Sequence, residues 1–206
     1  MTKLSNAIRR NLKQPYEFIC VSENPKAQFD GARTIPLLDH GLLSVPGCVV
    51  RMRMFDPAWQ ASVQAYDRIV NLDLDLVVTG GLDTLLDRPD PFTILQGINT
   101  TNPCQYNGSM FMLRAGYRPD VWSDFSVEAN SKVPFHAFPD DQGWMHHKMP
   151  DAGAWGPSDG VYGFKKKGWP QGINLPANAR VVAFPGWRDP SMSMFKSIGW
   201  IEKHWK

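Results

Sequence analysis

The sequence contains few cysteines and no long run of apolar residues. Its 206 residues include only Cys20, Cys48 and Cys104, and this odd number at wide spacing matches neither a disulfide framework nor a zinc ribbon. No segment approaches the roughly 18 apolar residues of a membrane-spanning helix, and residues 1–10 lack the apolar centre of a signal peptide. We therefore expect a cytoplasmic protein with reduced thiols and no membrane insertion.

The sequence also lacks a strong excess of charge of one sign. Its 22 basic residues nearly balance 20 acidic residues, for a formal net charge of +2. Nucleic-acid-binding proteins are usually more basic, so no nucleic-acid partner is predicted. The run Lys165-Lys166-Lys167 is a local exception, more typical of a solvated strand end, although three ammonium groups would also suit a phosphate-bearing ligand. The 43% of apolar residues indicates one globular domain over residues 1–206.

Several common catalytic motifs are missing. The sequence contains no G-x-G-x-x-G fingerprint, no P-loop and no recognisable Ser-His-Asp set. His146 and His147 are adjacent, and adjacent helical side chains point about 100° apart, so the two do not form a zinc pair on one helix face. The acidic residues remain as the main candidates for chemistry.

Two carboxylates within an apolar stretch are the most informative feature present. Asp73 and Asp75 occur in the run Asn71-Leu72-Asp73-Leu74-Asp75-Leu76-Val77-Val78, and we call them the acidic pair. Side chains alternate along an extended strand, so both carboxylates would share one face, with their Cβ atoms roughly 6 to 7 Å apart. A divalent ion can engage two carboxylates at that separation. The acidic pair is therefore predicted to bind a metal ion.

The residues after the acidic pair support this prediction. An isolated D-x-D is better explained as the solvated face of an edge strand, because short motifs often match by chance. Here the apolar run leads into Thr79-Gly80-Gly81, and glycines let a backbone approach a ligand closely. Ligands of open α/β sheets bind beyond the carboxyl ends of strands. The glycine pair therefore favours a ligand site.

Helical and extended patterns alternate along the chain. Leu4, Ile8 and Leu12 recur every four residues and predict a helix, and Asp56-Pro57 predicts the start of another over 58–66. The segment 22–45 is predicted to be a connection. Further helices are expected near 82–86, after Pro119 and after Asp140 or Asp141, and strands at 16–21, 49–55, 68–78, 92–95, 110–113, 161–164 and 181–184. This alternation predicts an α/β fold with a mainly parallel central sheet and flanking helices.

Four motifs in series carry a family resemblance across residues 68–190. They are Asn71-Leu72-Asp73-Leu74-Asp75 with Gly81-Leu82-Asp83, Tyr106-Asn107-Gly108-Ser109-Met110-Phe111, Asp140-Asp141-Gln142, and Phe184-Pro185-Gly186. Their order and spacing resemble the glycogenin-like family of nucleotide-sugar glycosyltransferases, and the tail Gly199–Trp205 is similar to the closing segment of bacterial relatives. The resemblance implies a GT-A fold and transfer of a sugar, with retention, from a UDP-sugar donor to a sugar, lipid or protein acceptor.

The resemblance also implies a role for individual residues. Asp73 would lie near the ribose and the metal, Mn²⁺ or Mg²⁺, and Asp75 would bind that metal directly. Asn107 and Ser109 would lie beneath the donor sugar. Asp141 and Gln142 would be catalytic residues that bind the sugar or acceptor, with Asp141 stabilising positive charge on the sugar. Apart from the resemblance, Arg188 is a candidate for binding a phosphate, because the fork of its guanidinium suits that geometry.

The sequence departs from the family pattern in two places. The family has a histidine metal ligand where this chain has Pro185, whose side chain cannot bind a metal. Replacement ligands would have to come from His136, His146, His147 or Asp189. The family also begins with a strand that contacts the uracil base, and this chain is expected to lack it, through truncation, a misassigned start or divergence.

These departures leave alternative functions open. A catalytically weak or inactive sugar-nucleotide-binding protein would keep the fold without efficient turnover. A metal-dependent phosphodiesterase or nucleotidyltransferase would need further carboxylates, for which only the Asp140-Asp141 pair is available. Among the aromatic residues, Trp155, Trp169 and Trp187 occur in segments rich in glycine and proline and are candidates for contacts with the acceptor.

Overall fold

The computed structural model describes residues 1–37, 40–98, 103–135 and 140–206. Its helices are α1 Thr2–Asn11, α2 His40–Leu43, α3 Pro57–Ser62, α4 Asp83–Leu86, α5 Asp120–Ser123, α6 Val127–Ser131, α7 Asp141–Lys148, α8 Ser193–Lys196 and α9 Gly199–His204. Its strands are β1 Ile19–Ser22, β2 Arg33–Pro36, β3 Arg68–Leu72, β4 Val77–Val78, β5 Phe92–Gln96, β6 Tyr106–Arg114, β7 Gly153–Trp155, β8 Val161–Gly163 and β9 Val181–Ala183. Short 3-10 helices span Val49–Phe55 and Pro157–Asp159.

The chain divides into two compact units. The first unit comprises Met1–Leu37, Leu72–Pro89 and Trp155–Lys206, and the second comprises Leu38–Asn71 and Asp90–Ala154. The expectation of one glycosyltransferase-like domain over residues 1–206 stays a prediction. No helix in the described ranges has the length and apolar character needed to cross a membrane.

The first unit contains a three-stranded sheet in the order β4-β9-β8. Strand β9 runs antiparallel to β4 and parallel to β8, so Val182 lies opposite both Val77 and Tyr162. Aromatic and aliphatic side chains bury one side of this sheet against the C-terminal helices, with Phe164, Phe184 and Ile201 fully buried. The parallel pair β1 and β2 belongs to the same unit.

The second unit is built around the sheet β3-β6-β5-β7. Strands β5 and β6 are antiparallel, with Phe92 opposite Leu113 and Gln96 opposite Tyr106. Strand β6 is buried from Tyr106 to Leu113. Beneath it, the rings of Phe55, Phe92 and Phe111 pack with centroids 5.8 to 6.3 Å apart. Burial of large apolar side chains of this kind stabilises a core by about 1.5–3 kcal/mol each.

Most of the predicted elements are confirmed, and one is wrong in kind. Helices α1, α3 and α7 and strands β5, β8 and β9 occur where the sequence indicates them. The predicted strand at 49–55 is a 3-10 helix, and its buried residues Val49, Met52 and Phe55 are spaced three apart, which matches its period of about three residues per turn. The predicted connection 22–45 contains β2 and α2.

The sheets are mixed rather than mainly parallel. The pairs β4·β9 and β5·β6 are antiparallel, whereas β1·β2 and β8·β9 are parallel. Consecutive strands occur in both arrangements, because β5 and β6 are antiparallel whereas β1 and β2, separated by residues 23–32, are parallel.

Candidate functional site

Polar side chains in the second unit converge on the backbone of Gly108 in strand β6. The Gly108 N–H donates to Oε1 of Gln142 at 3.1 Å. The Gly108 carbonyl oxygen accepts from Asn71 Nδ2 at 3.1 Å and from Arg51 Nη1 at 3.2 Å. We call Arg51, Asn71, Gly108, Asp141 and Gln142 the Gly108 cluster. Both backbone groups of this buried glycine are satisfied by side chains, which ties β3, β6 and α7 together.

Asp141 enters the Gly108 cluster through the first turn of α7. Asp140 is the N-cap of that helix, and its Oδ1 accepts from Gln142 N at 2.7 Å and Gly143 N at 3.0 Å. The Asp141 side chain is only 3% exposed and its Oδ2 lies 2.9 Å from Arg51 Nη1. Arg51 therefore balances the charge of a carboxylate that would be costly to bury alone.

Glycine is the residue type that fits at position 108 inside this cluster. A Cβ atom built on Gly108 would lie 2.7 Å from Asp141 Oδ2 and 2.8 Å from Arg51 Nη1. Neither distance is a possible van der Waals contact, so any side chain at this position would displace the ion pair. The glycine in the Asn107-Gly108-Ser109 motif is thus explained by the carboxylate above it.

Asn107 and Ser109 flank Gly108 where the register of β5 and β6 shifts, since Leu95 lies opposite Asn107 and Ile94 lies opposite Phe111. Asn107 is 7% exposed and Ser109 is 6% exposed. The Asn107 Oδ1 accepts from the backbone N–H of Ser109 at 3.2 Å. The structure therefore brings together four predicted site residues of the second unit, Asn107, Ser109, Asp141 and Gln142, on one strand and the adjoining helix turn.

The acidic pair lies in the first unit, in a turn rather than in a strand. Strand β3 ends at Leu72, and the Leu76 N–H donates to the Asp73 carbonyl oxygen at 3.3 Å. Leu74 is 55% exposed whereas Leu76 is fully buried, so the predicted alternation through residues 68–78 is wrong. Asp73 and Asp75 are both half-buried, and Oδ1 of Asp75 is screened from solvent.

The register of the first unit's sheet groups charged residues at one end of it. The acidic pair directly precedes β4, which runs antiparallel to β9, so the segment 185–188 after β9 leaves the sheet at the same end. Strand β8 is parallel to β9, and the Phe164 N–H still donates to Ala183 O at 2.7 Å, so Lys165–Lys167 also follow at that end. We call this the acidic-pair end of the sheet; it comprises Asp73 and Asp75, residues 165–167 and residues 185–188.

The predicted glycine turn lies at the other end of β4. The N–H groups of Thr79 and Gly80 donate to the Arg180 carbonyl oxygen at 2.7 and 3.2 Å, just before β9 begins. Gly80 and Gly81 line a cavity of about 870 Å³ there, together with Asp83, Thr84, Leu85, Arg88, Ser158, Asp159, Ala177, Asn178, Ala179 and Arg180. The acidic pair therefore follows the carboxyl end of β3, whereas this cavity lies beyond the carboxyl end of β4.

The segment after β9 carries one cation and a strongly exposed aromatic ring. Gly186 adopts a left-handed backbone with φ of 83°, and Trp187 is 62% exposed. The Arg188 guanidinium lies 5.2 Å from the Trp187 ring centroid, and Asp189 Oδ1 accepts from Ser191 N at 2.7 Å. Asp189 thus closes a turn of its own segment.

The expected third metal ligand is not found among the residues that the structure describes. Within that part of the chain, no group of three or more His, Cys, Asp or Glu side chains has metal-binding geometry. In the second unit, His146 is stacked between Tyr106 and Phe135 at 4.6 and 4.4 Å, and His147 lies 5.8 Å from the Trp144 ring. His136 lies outside the described residues.

Comparison with models of known protein families finds no match, and no curated protein matches the chain. Among solved structures, the chain is similar to the crystal structure of galactosyltransferase LgtC in complex with donor and acceptor sugar analogs. The TM-score is 0.62 at 12% sequence identity, and the match covers 98% of this chain and 86% of that chain. The fold is GT-A-like.

Within this GT-A-like fold, sequence reasoning missed Arg51 as part of the candidate site. Arg51 is half-buried in the stretch 49–55, where Val49, Met52 and Phe55 are buried. A charged residue surrounded by buried apolar residues requires a partner, and that requirement was the available signal. The partner itself, Asp141, is 90 residues away in sequence, which no local pattern reveals.

The predicted set of aromatic contacts for the acceptor is wrong for one of its members. Trp155 is fully buried, and its Nε1 donates to the Leu85 carbonyl oxygen at 3.1 Å, so it packs the first unit of the GT-A-like fold. Trp169 is half-buried and Trp187 is exposed. The burial of Trp155 follows from its position at the end of β7, where a strand replaces the predicted loop.

Proposed function

We propose that this chain is a metal-dependent glycosyltransferase that moves a sugar from a UDP-sugar donor to an acceptor, with retention. The observation that carries the proposal is the acidic-pair end of the first unit's sheet, where two carboxylates and Arg188 emerge together. The likeness of the fold to a galactosyltransferase supports the same reaction class. Carboxylates for a metal ion and a guanidinium for phosphate oxygens are the groups that a nucleoside diphosphate requires.

The acidic pair fits a hard divalent cation. Asp73 and Asp75 offer carboxylate oxygens, which suit Mg²⁺ and Mn²⁺, and such ions are commonly held by one or two carboxylates with the phosphates of the substrate. When bound, the ion would supply positive charge that stabilises the diphosphate leaving group. The same arrangement accounts for Pro185, because phosphate and water oxygens can occupy the positions that a third side chain would otherwise fill.

Within the second unit, we propose that Asn107, Ser109, Asp141 and Gln142 bind a sugar. Buried amide, hydroxyl and carboxylate groups form directional hydrogen bonds with sugar hydroxyls. The Arg51 ion pair fixes the Asp141 carboxylate in one orientation, and the N-cap at Asp140 fixes the helix turn that carries it. A carboxylate held in this way would stabilise positive charge on a sugar ring as the glycosidic bond breaks, and Gln142 would position the sugar or the acceptor.

The direct test is nucleotide binding with and without metal. With Mn²⁺ and UDP at about a hundredfold excess over the dissociation constant, the melting temperature should rise by roughly 5 to 10 °C. Without Mn²⁺ the rise should largely disappear. Release of UDP from a UDP-sugar in the presence of candidate acceptors then measures turnover.

Two aspartate variants make this test specific. Asp75→Asn should abolish the metal-dependent rise while leaving the unliganded melting temperature nearly unchanged. Asp87→Asn is the matched control, because Asp87 is an exposed carboxylate of the same unit that follows α4. Wild-type protein that binds UDP equally well with and without Mn²⁺ would contradict the metal assignment.

A second candidate function is sugar-nucleotide binding with little or no turnover. It is favoured by Pro185 and by the lack of a third metal-binding side chain within the described ranges. Binding of UDP and Mn²⁺ without release of UDP from any donor would select this function over the enzyme.

A further inference from the structure

The lysine run borders a cavity in the first unit that the proposed donor site does not use. This cavity has a volume of about 310 Å³ and is lined by Lys165, Lys166, Trp169, Pro170 and Gly172. We call it the lysine-tryptophan pocket. Its volume is at the lower end of the range of about 300–1,000 Å³ for small-molecule sites, which suits a ligand of the size of a sugar.

The pocket lies at the acidic-pair end of the sheet. Gly163 in β8 is in register with Ala183 in β9, so the residues that follow these two strands leave the sheet side by side. Lys165 and Lys166 come two and three residues after Gly163, and Arg188 comes five residues after Ala183. A ligand in the pocket would therefore lie at the end of the first unit to which we assign the donor diphosphate.

The charge of the pocket is positive and is not neutralised by the protein. Within the described part of the chain, neither Lys165 nor Lys166 forms an ion pair. The Lys165 ammonium lies 5.7 Å from the Phe164 ring centroid. No residue that lines the pocket is acidic, so the pocket attracts an anion directly and offers no carboxylate to a metal ion.

One wall of the pocket is a firmly held indole ring. Trp169 packs edge-on against Tyr162 and Phe164, with centroids 5.9 and 5.1 Å away, and contacts Trp200 at 5.9 Å. Trp200 is fixed in turn, because its Nε1 donates to the Ile173 carbonyl oxygen at 2.8 Å. A flat, immobilised aromatic surface can pack against the C–H face of a sugar ring at little entropic cost.

The backbone at the mouth of the pocket is strained. Lys165 has φ of 54°, in the left-handed region that favours glycine. Residues other than glycine in this conformation carry a cost and concentrate where a side chain must be aimed at a ligand. Lys165 lines the cavity in this conformation.

We propose that the lysine-tryptophan pocket binds an anionic acceptor sugar, with Lys165 and Lys166 on its phosphate or carboxylate group and Trp169 against its ring. This inference rests on the proposed glycosyltransferase function and names the acceptor class for it. The donor diphosphate is a poorer occupant, because it travels with a divalent metal ion and the pocket provides no oxygen ligand from a carboxylate.

The test is a titration of the full chain with matched charged and neutral sugars. Calorimetry would compare glucose 6-phosphate and glucuronic acid with glucose, in the presence of saturating UDP and Mn²⁺. We expect the anionic sugars to bind at least tenfold more tightly than glucose. The double variant K165Q/K166Q should lose that preference at least tenfold, while its affinity for UDP with Mn²⁺ stays within twofold of wild type.

A matched control lies in the same lysine run. Lys167 is exposed and does not line the pocket, so K167Q removes an equal charge nearby and should leave the affinity for anionic sugars within about twofold. Glutamine at positions 165 and 166 preserves chain length, and unchanged melting temperatures would establish that the variants fold.

Three results would overturn the inference. The first is that anionic sugars bind no tighter than glucose. The second is that K167Q weakens binding as much as the double variant does, and the third is that the double variant loses UDP together with the sugar phosphate. The last result would assign the pocket to the donor. In each case, metal-dependent binding of UDP by the wild-type protein would keep the proposed function intact, and its failure alone would remove that function.

Discussion

The two charged regions of this protein handle their charges in opposite ways. In the second unit, the Gly108 cluster is buried, and Arg51 and Asp141 neutralise each other at 2.9 Å. In the first unit, the acidic-pair end carries Lys165, Lys166 and Arg188 in no ion pair among the described residues, beside a strongly exposed Trp187. The difference indicates that the Gly108 cluster is held by contacts within the protein, whereas the proposed function assigns the cations of the acidic-pair end to a ligand.

The largest expected effect comes from removing one partner of the buried ion pair. Arg51→Met should lower the free energy of unfolding by about 3 kcal/mol, because it leaves the Asp141 carboxylate buried without its counter-charge. Arg188→Met, at the acidic-pair end, should change it by less than about 0.5 kcal/mol. Urea denaturation followed by circular dichroism measures both.

For the affinity for UDP with Mn²⁺, we expect the large effect at Arg188 instead of Arg51. Arg188→Met should weaken it by about 10- to 150-fold, since a charge-assisted hydrogen bond to phosphate contributes about 1.5–3 kcal/mol. In the urea experiment, an unchanged free energy of unfolding for Arg51→Met would contradict the description of the Gly108 cluster as a closed structure.

A smaller effect is expected from adding a methyl group at Gly108. Gly108→Ala should cost about 1–3 kcal/mol, because its Cβ would lie 2.7 Å from Asp141 Oδ2 and force the ion pair apart. The matched control is Gly81→Ala, where a Cβ would meet nothing within 4 Å. The difference in free energy of unfolding between the two variants measures the cost of the overlap between the added methyl group and the ion pair. Equal values for the two variants would refute that overlap.

The smallest expected effect concerns the pH dependence of the second unit. Burial between Tyr106 and Phe135 lowers the pKa of His146 below its ordinary value of 6.5. As the pH falls through that value, the unfolded chain binds the proton first, so the folded state loses stability. The change should stay under about 1 kcal/mol, because the ring is partly exposed and solvent screens its charge.

His146→Phe preserves the ring stack and removes the titrating group. The variant should therefore lose less melting temperature than wild type between pH 7.5 and pH 5. An identical loss in both proteins would assign the pH dependence to other groups.

The sequence predicted the parts of the fold that depend on neighbouring residues. The predicted helix starts were Asp56 and either Asp140 or Asp141, because an N-cap acts within three residues, and in the structure Asp56 and Asp140 accept the capping hydrogen bonds. The buried residues of Val49–Phe55 are three apart, as in a 3-10 helix. The same stretch also alternates between polar and apolar residues, and that alternation led to the wrong prediction of a strand. Local patterns determine helix ends more reliably than they determine the kind of a short element.

The parts that could not be predicted depend on residues far apart in sequence. The contact of Arg51 with Asp141 spans 90 positions. The antiparallel pairing of Val77 with Val182 determines that the acidic pair, before β4, and Arg188, after β9, are at the same end of the sheet. The motif residues Asn107, Gly108 and Gln142 were identified, yet the reason for the glycine appears only in three dimensions. The turn at Asp73–Leu76 likewise requires the separate partners of β3 and β4.

The hydrogen bond from Trp200 to Ile173 has a mechanical consequence. It connects α9 to the loop that carries Trp169, so α9 supports the aromatic wall of the lysine-tryptophan pocket. A substitution that removes the Trp200 ring would therefore take away a contact of Trp169 as well as the hydrogen bond to Ile173. The position of the aromatic wall thus depends on a helix that does not line the pocket.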